Sequence, residues 1–135
     1  MYNHTIKVRV KYADTDQMGY VYYGRYTEYF EVARTEAMRA VGVPYSELER
    51  SGVALPVLEL WIKYIRPCFY DEELILTTSI PELPQGRIIF ETDISKKDGQ
   101  LLTKGRVTLC FVDIKSGRPT KPPAALIKKL EPYFG

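Results

Sequence analysis

Between Tyr26 and Val41 the apolar side chains recur at steps of three and four. Tyr26, Tyr29, Phe30, Ala33, Ala37, Ala40 and Val41 fall on one helical face. Arg25, Glu28, Glu36 and Arg39 lie mostly on the other side. Three alanines on the inner face let such a helix sit very close to a sheet. Gly42 supplies a left-handed stop, and Pro44 prevents continuation. A short second helix is predicted from Pro44 to Ser51, ended by Gly52. The rest is mostly strand, so one long helix must find its cover on a sheet, an α+β layer architecture.

The strands are read from period two. Ile6, Val8, Val10 and Tyr12 share a face, with Lys7, Arg9 and Lys11 on the other. That strand stops at Asp14-Thr15-Asp16, residue types that favour turns. Val57 to Ile65 places Leu58, Leu60, Ile62 and Tyr64 together, and Pro67 closes it. Leu74 to Ile80 follows, then a Pro84-Gln85-Gly86 turn, then Ile88, Phe90, Thr92 and Ile94 on one face. Asp98-Gly99 is a two-residue hairpin signal. Leu101 to Asp113 is long and apolar on both faces in its second half, which predicts a central position. Pro122 to Phe134 predicts a terminal helix with Ala125, Leu126, Ile127 and Leu130 inward. About five antiparallel strands over one helix leave open edges. Together with the two-faced last strand, this points to a second copy of the chain, a homodimer at least.

Composition narrows the function. The 135 residues suffice for a single domain, 1–135, with one core. A net charge of +2, with no Lys/Arg run longer than two, suits an anionic small ligand but not nucleic acid. Two cysteines far apart and one histidine make no zinc cluster of recognised spacing, so no metal is expected. Free thiols, an N-terminus without a signal-peptide pattern and no long apolar run predict a cytoplasmic chain with no membrane span.

The chemistry gathers where the first strand meets the helix. Asp14 and Asp16 are two apart, so in extended geometry they point opposite ways and at most one faces a given cleft. Both are also ordinary turn residues. Tyr12, Tyr20, Tyr22, Tyr23 and Tyr26 surround them in sequence, and an apolar aromatic setting raises a carboxylate toward general-base range. Gly19 and Gly24 bracket the aromatic run just before the helix, whose first N–H groups lack internal partners and attract a developing oxyanion. The plainer reading makes Gly24 a permissive entry and the tyrosines core packing. His4, placed before the first strand and exposed, is no catalytic candidate. Ser-His and Cys-His pairs are then excluded, Cys68 reads as structural, and hydrolysis would have to run on a carboxylate.

Tyr12-Ala13-Asp14-Thr15-Asp16-Gln17-Met18-Gly19-Tyr20-Val21-Tyr22-Tyr23, with Tyr26 and Phe30-Glu31-Val32-Ala33-Arg34-Thr35-Glu36, resembles the 4-hydroxybenzoyl-CoA thioesterase type of hotdog-fold protein. Within that type it is most similar to the bacterial acyl-CoA thioester hydrolases associated with the Tol–Pal system. Pro67 with Asp71-Glu72-Glu73-Leu74, Thr103-Lys104-Gly105, Phe111-Val112-Asp113 and Gly117 through Pro122 match more weakly. The resemblance implies a curved antiparallel sheet wrapped round the central helix, dimers pairing to homotetramers, and acyl-CoA hydrolysis with no cofactor, CoA being part of the substrate. It assigns the catalytic carboxylate to Asp16, the carbonyl-polarising backbone N–H to Tyr23, and a further site tyrosine to Tyr12. Arg87, Arg118 and Lys121 fall where some relatives bind CoA phosphates and pantetheine. Many close relatives have histidine where this chain has Tyr23, which leaves room for a non-catalytic acyl-CoA or acyl-carrier-protein binding module. A hotdog hydratase would want an internal histidine, and the chain has none.

Overall fold

A computed structural model describes residues Met1–Gly135. Its strands are β1 (Tyr2–Arg9), β2 (Val53–Ala54), β3 (Val57–Tyr64), β4 (Glu73–Ile80), β5 (Arg87–Lys96), β6 (Leu101–Cys110) and β7 (Val112–Asp113). Its helices are α1 (Tyr26–Val41), α2 (Tyr45–Arg50) and α3 (Ala124–Leu130). The main sheet is antiparallel in the order β1-β4-β5-β6-β3, and β2 pairs with β7. The long helix lies against one face of that sheet, the hotdog arrangement that the resemblance implies. Consecutive strands β4, β5 and β6 form a meander, but β3 crosses over to pair with β6. β6, expected at the centre, is interior but lies one strand off it, between β5 and the edge strand β3.

Helix α1 lays Tyr26, Tyr29, Phe30, Ala33, Ala37, Met38 and Val41 into the core and touches β1, β4 and β5. Ala40, expected inward, is exposed, because the buried stripe runs 33, 37, 41 and takes Met38 instead. Ala125 is likewise exposed on α3, where Leu126 and Leu130 carry the contact. Gly42 ends α1 at φ +99°. The close approach of helix and sheet is made at Gly105, where any Cβ would run into the Phe30 ring.

Two sequence boundaries move. β1 starts at Tyr2, whose hydroxyl donates to the Ala37 carbonyl at 2.7 Å, so His4 lies inside the strand opposite Thr78, half-buried rather than exposed before it. β1 also ends at Arg9, not Tyr12: Val10 exchanges backbone bonds with Glu72 and Asp71, and residues 12–14 then turn into a 3-10 helix. The Asp98-Gly99 turn is present but longer than two residues. Lys96 N–H reaches the Gln100 carbonyl at 2.9 Å, and the register slips between Ile94 and Ser95.

The helix meets β3 only at its start, where the Tyr26 ring packs against Tyr64. That edge strand is exposed along almost its whole length, with Leu60 at 42% and Trp61 at 50% of full exposure. Leu60, Ile62 and Tyr64 pair with Val107, Gly105 and Thr103, so they face the helix side of the sheet; Ile62 is half-buried against the core, while Leu60 is left largely uncovered.

Candidate active site

The two aspartates separate as period two demands, and the structure gives them different tasks. Asp14 is buried at 5% exposure. Its Oδ2 accepts from the Tyr29 hydroxyl at 2.8 Å and from the Lys11 backbone N–H at 3.1 Å. Burial and this carboxylate together hold the Tyr29 phenol well above its usual range. Asp14 also holds the loop, since its carbonyl accepts the Tyr22 N–H at 3.0 Å. The aromatic enclosure expected around a base therefore encloses a structural carboxylate.

Asp16 sits two residues further, at the start of a tight turn. Its Oδ1 accepts the Met18 N–H at 2.8 Å, its backbone N–H donates to Tyr20, and Gly19 at φ +85° donates back to the Asp16 carbonyl. The side chain is exposed and lines a cleft of about 430 Å³. Oδ2 accepts from no protein group, so one carboxylate oxygen is anchored and the other is free. The turn is pinned to the sheet by a Thr15–Val21 bridge, a Tyr20–Phe69 bridge and a 2.8 Å bond from Val21 N–H to the Cys68 carbonyl.

The opposite lip is the entry to α1. Residues 23–25 form a 3-10 turn that runs directly into the helix. Arg25 and Tyr26 donate back to Tyr22 and Tyr23, but the N–H groups of Tyr23 and Gly24 have no acceptor within the protein. The Tyr64 hydroxyl donates to the Tyr23 carbonyl at 3.1 Å, fixing the peptide whose other end is the Gly24 N–H. Behind it the Tyr26 ring packs edge-on against Tyr64, with centroids 5.0 Å apart. Burial, then contact with the Cys68 thiol, pushes the Tyr26 phenol far up, so it stays neutral at ordinary pH. Cys68 is wholly buried, and burial pushes its thiol up as well, which suits packing rather than nucleophilic attack.

Of the residues that the sequence singled out, Asp16 and Tyr23 line the same cleft, with Tyr20 and Tyr26. Tyr12 does not: it is 77% exposed and stacks edge-on with Tyr70, because the strand that should have carried it inward ends at Arg9. Arg87 lines a separate hollow with Glu82, Gln85 and Gly86. Arg118 and Lys121 lie in the exposed stretch after β7, outside the cleft. Sequence reasoning missed the wall formed by Tyr64, Ile65, Arg66 and Pro67 at the end of β3. Its one visible signal was a two-faced apolar strand ending in Arg-Pro.

A carboxylate with a free oxygen and an unpartnered backbone N–H, that of Tyr23, line one aromatic cleft, and groups of these two kinds can deliver a nucleophile to a carbonyl and polarise it. Comparisons with known proteins agree in kind. The family model described as Thioesterase-like superfamily matches residues 10–130. The acyl-CoA thioesterase YbgC of Haemophilus influenzae is 34% identical over 117 residues, covering 86% of this chain and 85% of that one. The acyl-CoA thioester hydrolase YbgC of Escherichia coli O157:H7 is 29% identical over 124 residues, 92% of each chain. The crystal structure of the DHNA-CoA thioesterase of Staphylococcus aureus superposes with a TM-score of 0.84 at 28% identity, covering 99% of this chain and 85% of that one. The chain belongs to the thioesterase-like superfamily.

Proposed function

We propose that this protein is an acyl-CoA thioesterase, hydrolysing the thioester to free acid and CoA, with Asp16 and the Tyr23 N–H as its working pair. The observation that carries this is their shared cleft: Asp16, with one carboxylate oxygen free, and Tyr23, whose backbone N–H is unpartnered, line the same cavity. The carbonyl oxygen takes the amide side. Each such donor contributes about 2.7–4 kcal/mol of barrier lowering as the oxyanion forms. Asp16 either draws a proton from water, whose oxygen then adds to the carbonyl carbon, or adds its own Oδ2. The tetrahedral centre then collapses, the C–S bond breaks, and the sulfur leaves with its electron pair and takes up a proton; on the direct route this leaves an anhydride between the acyl group and Asp16, which a water then hydrolyses to the free acid and the aspartate. A single turnover in heavy-oxygen water tests the direct route, since label in Asp16 requires an anhydride opened by water at the aspartyl carbonyl. Histidine is not needed for a backbone donor, so Tyr23 is compatible with turnover.

Asp16→Asn keeps the turn's hydrogen bond to Met18 but removes the base. It should lower kcat by about 10²–10⁴ with KM nearly kept. Unchanged turnover across an acyl-CoA panel would remove Asp16 from the mechanism. Tight acyl-CoA binding with no CoA release by the wild type would instead make the protein a binding module.

The working unit on this reading is a dimer built on β3, whose apolar edge has no cover within one chain. Arg87, Arg118 and Lys121 would then meet CoA phosphates from outside the cleft, along the surface or from another protomer. Pairing of dimers to a tetramer is the further step that the resemblance implies. The two free thiols fit a reducing compartment such as the cytoplasm.

A further inference from the structure

The cleft contains two charged side chains, Asp16 and Arg66. The reaction uses the first and leaves the second unexplained. Arg66 is held firmly at its backbone: its N–H and that of Ile65 both donate to the Leu102 carbonyl, at 3.0 and 2.9 Å, and Pro67 follows. Its guanidinium is uncommitted. The ion pairs of the chain engage Arg9, Arg25, Arg39, Lys96, Lys97 and Arg106, and none involves Arg66, not even with Asp16 across the same cavity. The surrounding wall is aromatic and aliphatic, with Tyr26, Tyr64 and Ile65 beside it. Arg66 is exposed at the cleft's rim, and a neutral acyl chain filling the cleft would cover part of its hydration without returning a hydrogen bond. A carboxylate on the acyl group would give the guanidinium a two-bond partner.

The phosphates of CoA fit this position poorly. With the thioester carbonyl between Asp16 and the Tyr23 N–H, the pantetheine arm puts more than about a dozen bonds between sulfur and the nearest phosphate, well over ~10 Å when extended. A cavity of about 430 Å³ is only about 7–8 Å across if taken as a cube. Within that span lies the far end of an acyl group of about four or five carbons.

We propose that Arg66 is a specificity-determining residue that selects short acyl groups ending in a carboxylate. This rests on the thioesterase reading, and the test keeps the two apart. Binding of two non-hydrolysable thioethers, S-butyl-CoA and S-(3-carboxypropyl)-CoA, is measured by calorimetry on wild type, Arg66→Gln and Arg66→Lys. Hydrolysis of butyryl-CoA and succinyl-CoA is measured on the same proteins. The wild type should favour the carboxylated member of each pair by about tenfold to a hundredfold. Arg66→Gln should abolish the preference by weakening the carboxylated member of each pair about tenfold or more relative to the butyl one, and Arg66→Lys should restore part of it. A wild type with no preference overturns the proposal, and so does an equal loss on both members in Arg66→Gln, which would move the residue to phosphate binding or to the subunit interface. A preference in binding without turnover of any thioester would sink the thioesterase reading and leave Arg66 as a carboxylate site. Turnover of butyryl-CoA without the preference would do the reverse.

Discussion

Two carboxylates of the same type, two residues apart, are sorted by what each can reach. Asp14 is taken by Tyr29 and by the Lys11 N–H, and its carbonyl anchors Tyr22, so it sets the loop that presents both Asp16 and Tyr23. Tyr29→Phe removes one donor from a buried carboxylate without changing the ring's volume. The expected loss is about 1–3 kcal/mol of unfolding free energy in denaturant titration, the usual consequence of leaving a buried acceptor short. Asp16→Asn should cost almost nothing in the same titration, because its carboxylate is exposed and its one hydrogen bond survives. A Tyr29→Phe protein as stable as the wild type would mean that Asp14 does not depend on the phenol. By period the aspartates were distinguishable only as pointing opposite ways, and the family resemblance alone singled out Asp16. Which of them met the phenol depends on Tyr29, a residue on α1 that the pattern assigned to the core for its ring alone.

At the level of elements, the helix was legible because its stripe, its Gly42 stop and the strand pattern around it all agree, and local and tertiary preferences coincide there. The end of β1 was not legible, since Tyr12 continues the alternation perfectly and only the bonds from Val10 to Glu72 and Asp71 divert the chain. The cleft wall from β3 was hidden for a different reason: Tyr64 meets the helix start from a strand placed by its pairing with β6, contacts across some forty residues that no local period reports. Gly105 lies on that same β6. Its lack of a side chain is what lets the fully buried Phe30 ring touch the strand. Gly105→Ala should therefore force the ring or the helix away and lower stability by about 1–3 kcal/mol, as overpacking does. A melting temperature equal to the wild type's would show that α1 can shift outward without loss. Gly86→Ala, where a Cβ meets nothing within 4 Å, is the control for adding a methyl at a glycine.

The whole molecule has one face that a lone chain leaves unresolved. No helix is long and apolar enough to cross a membrane, so a bilayer-spanning helix does not account for the apolar surface along β3. Val57, Leu58, Leu60, Trp61 and Tyr64 are each 42–50% exposed on a strand whose outer backbone edge has no partner. Long apolar edges of this kind associate unless blunted, and this one carries only Glu59 and Lys63 as charges. A second copy related by a two-fold axis would pair β3 with β3, satisfy both edges with the same residues, and cover Leu60 and Ile62 on the helix side. The cleft ends on this strand, at Tyr64, so assembly and activity are linked on this reading. Leu60→Lys places a charge at the centre of the proposed seam while leaving β3 paired to β6. Sedimentation should show a dimer or larger species for the wild type and a monomer for the variant, with acyl-CoA turnover falling at least about tenfold. Thr77→Lys, on the opposite face of the interior strand β4, should leave turnover and the β3 seam as they are. If Leu60→Lys and Leu58→Lys both sediment with the wild type, the β3 edge is not the seam. If Leu60→Lys is monomeric yet fully active, each cleft works alone and the partner serves only to cover the strand.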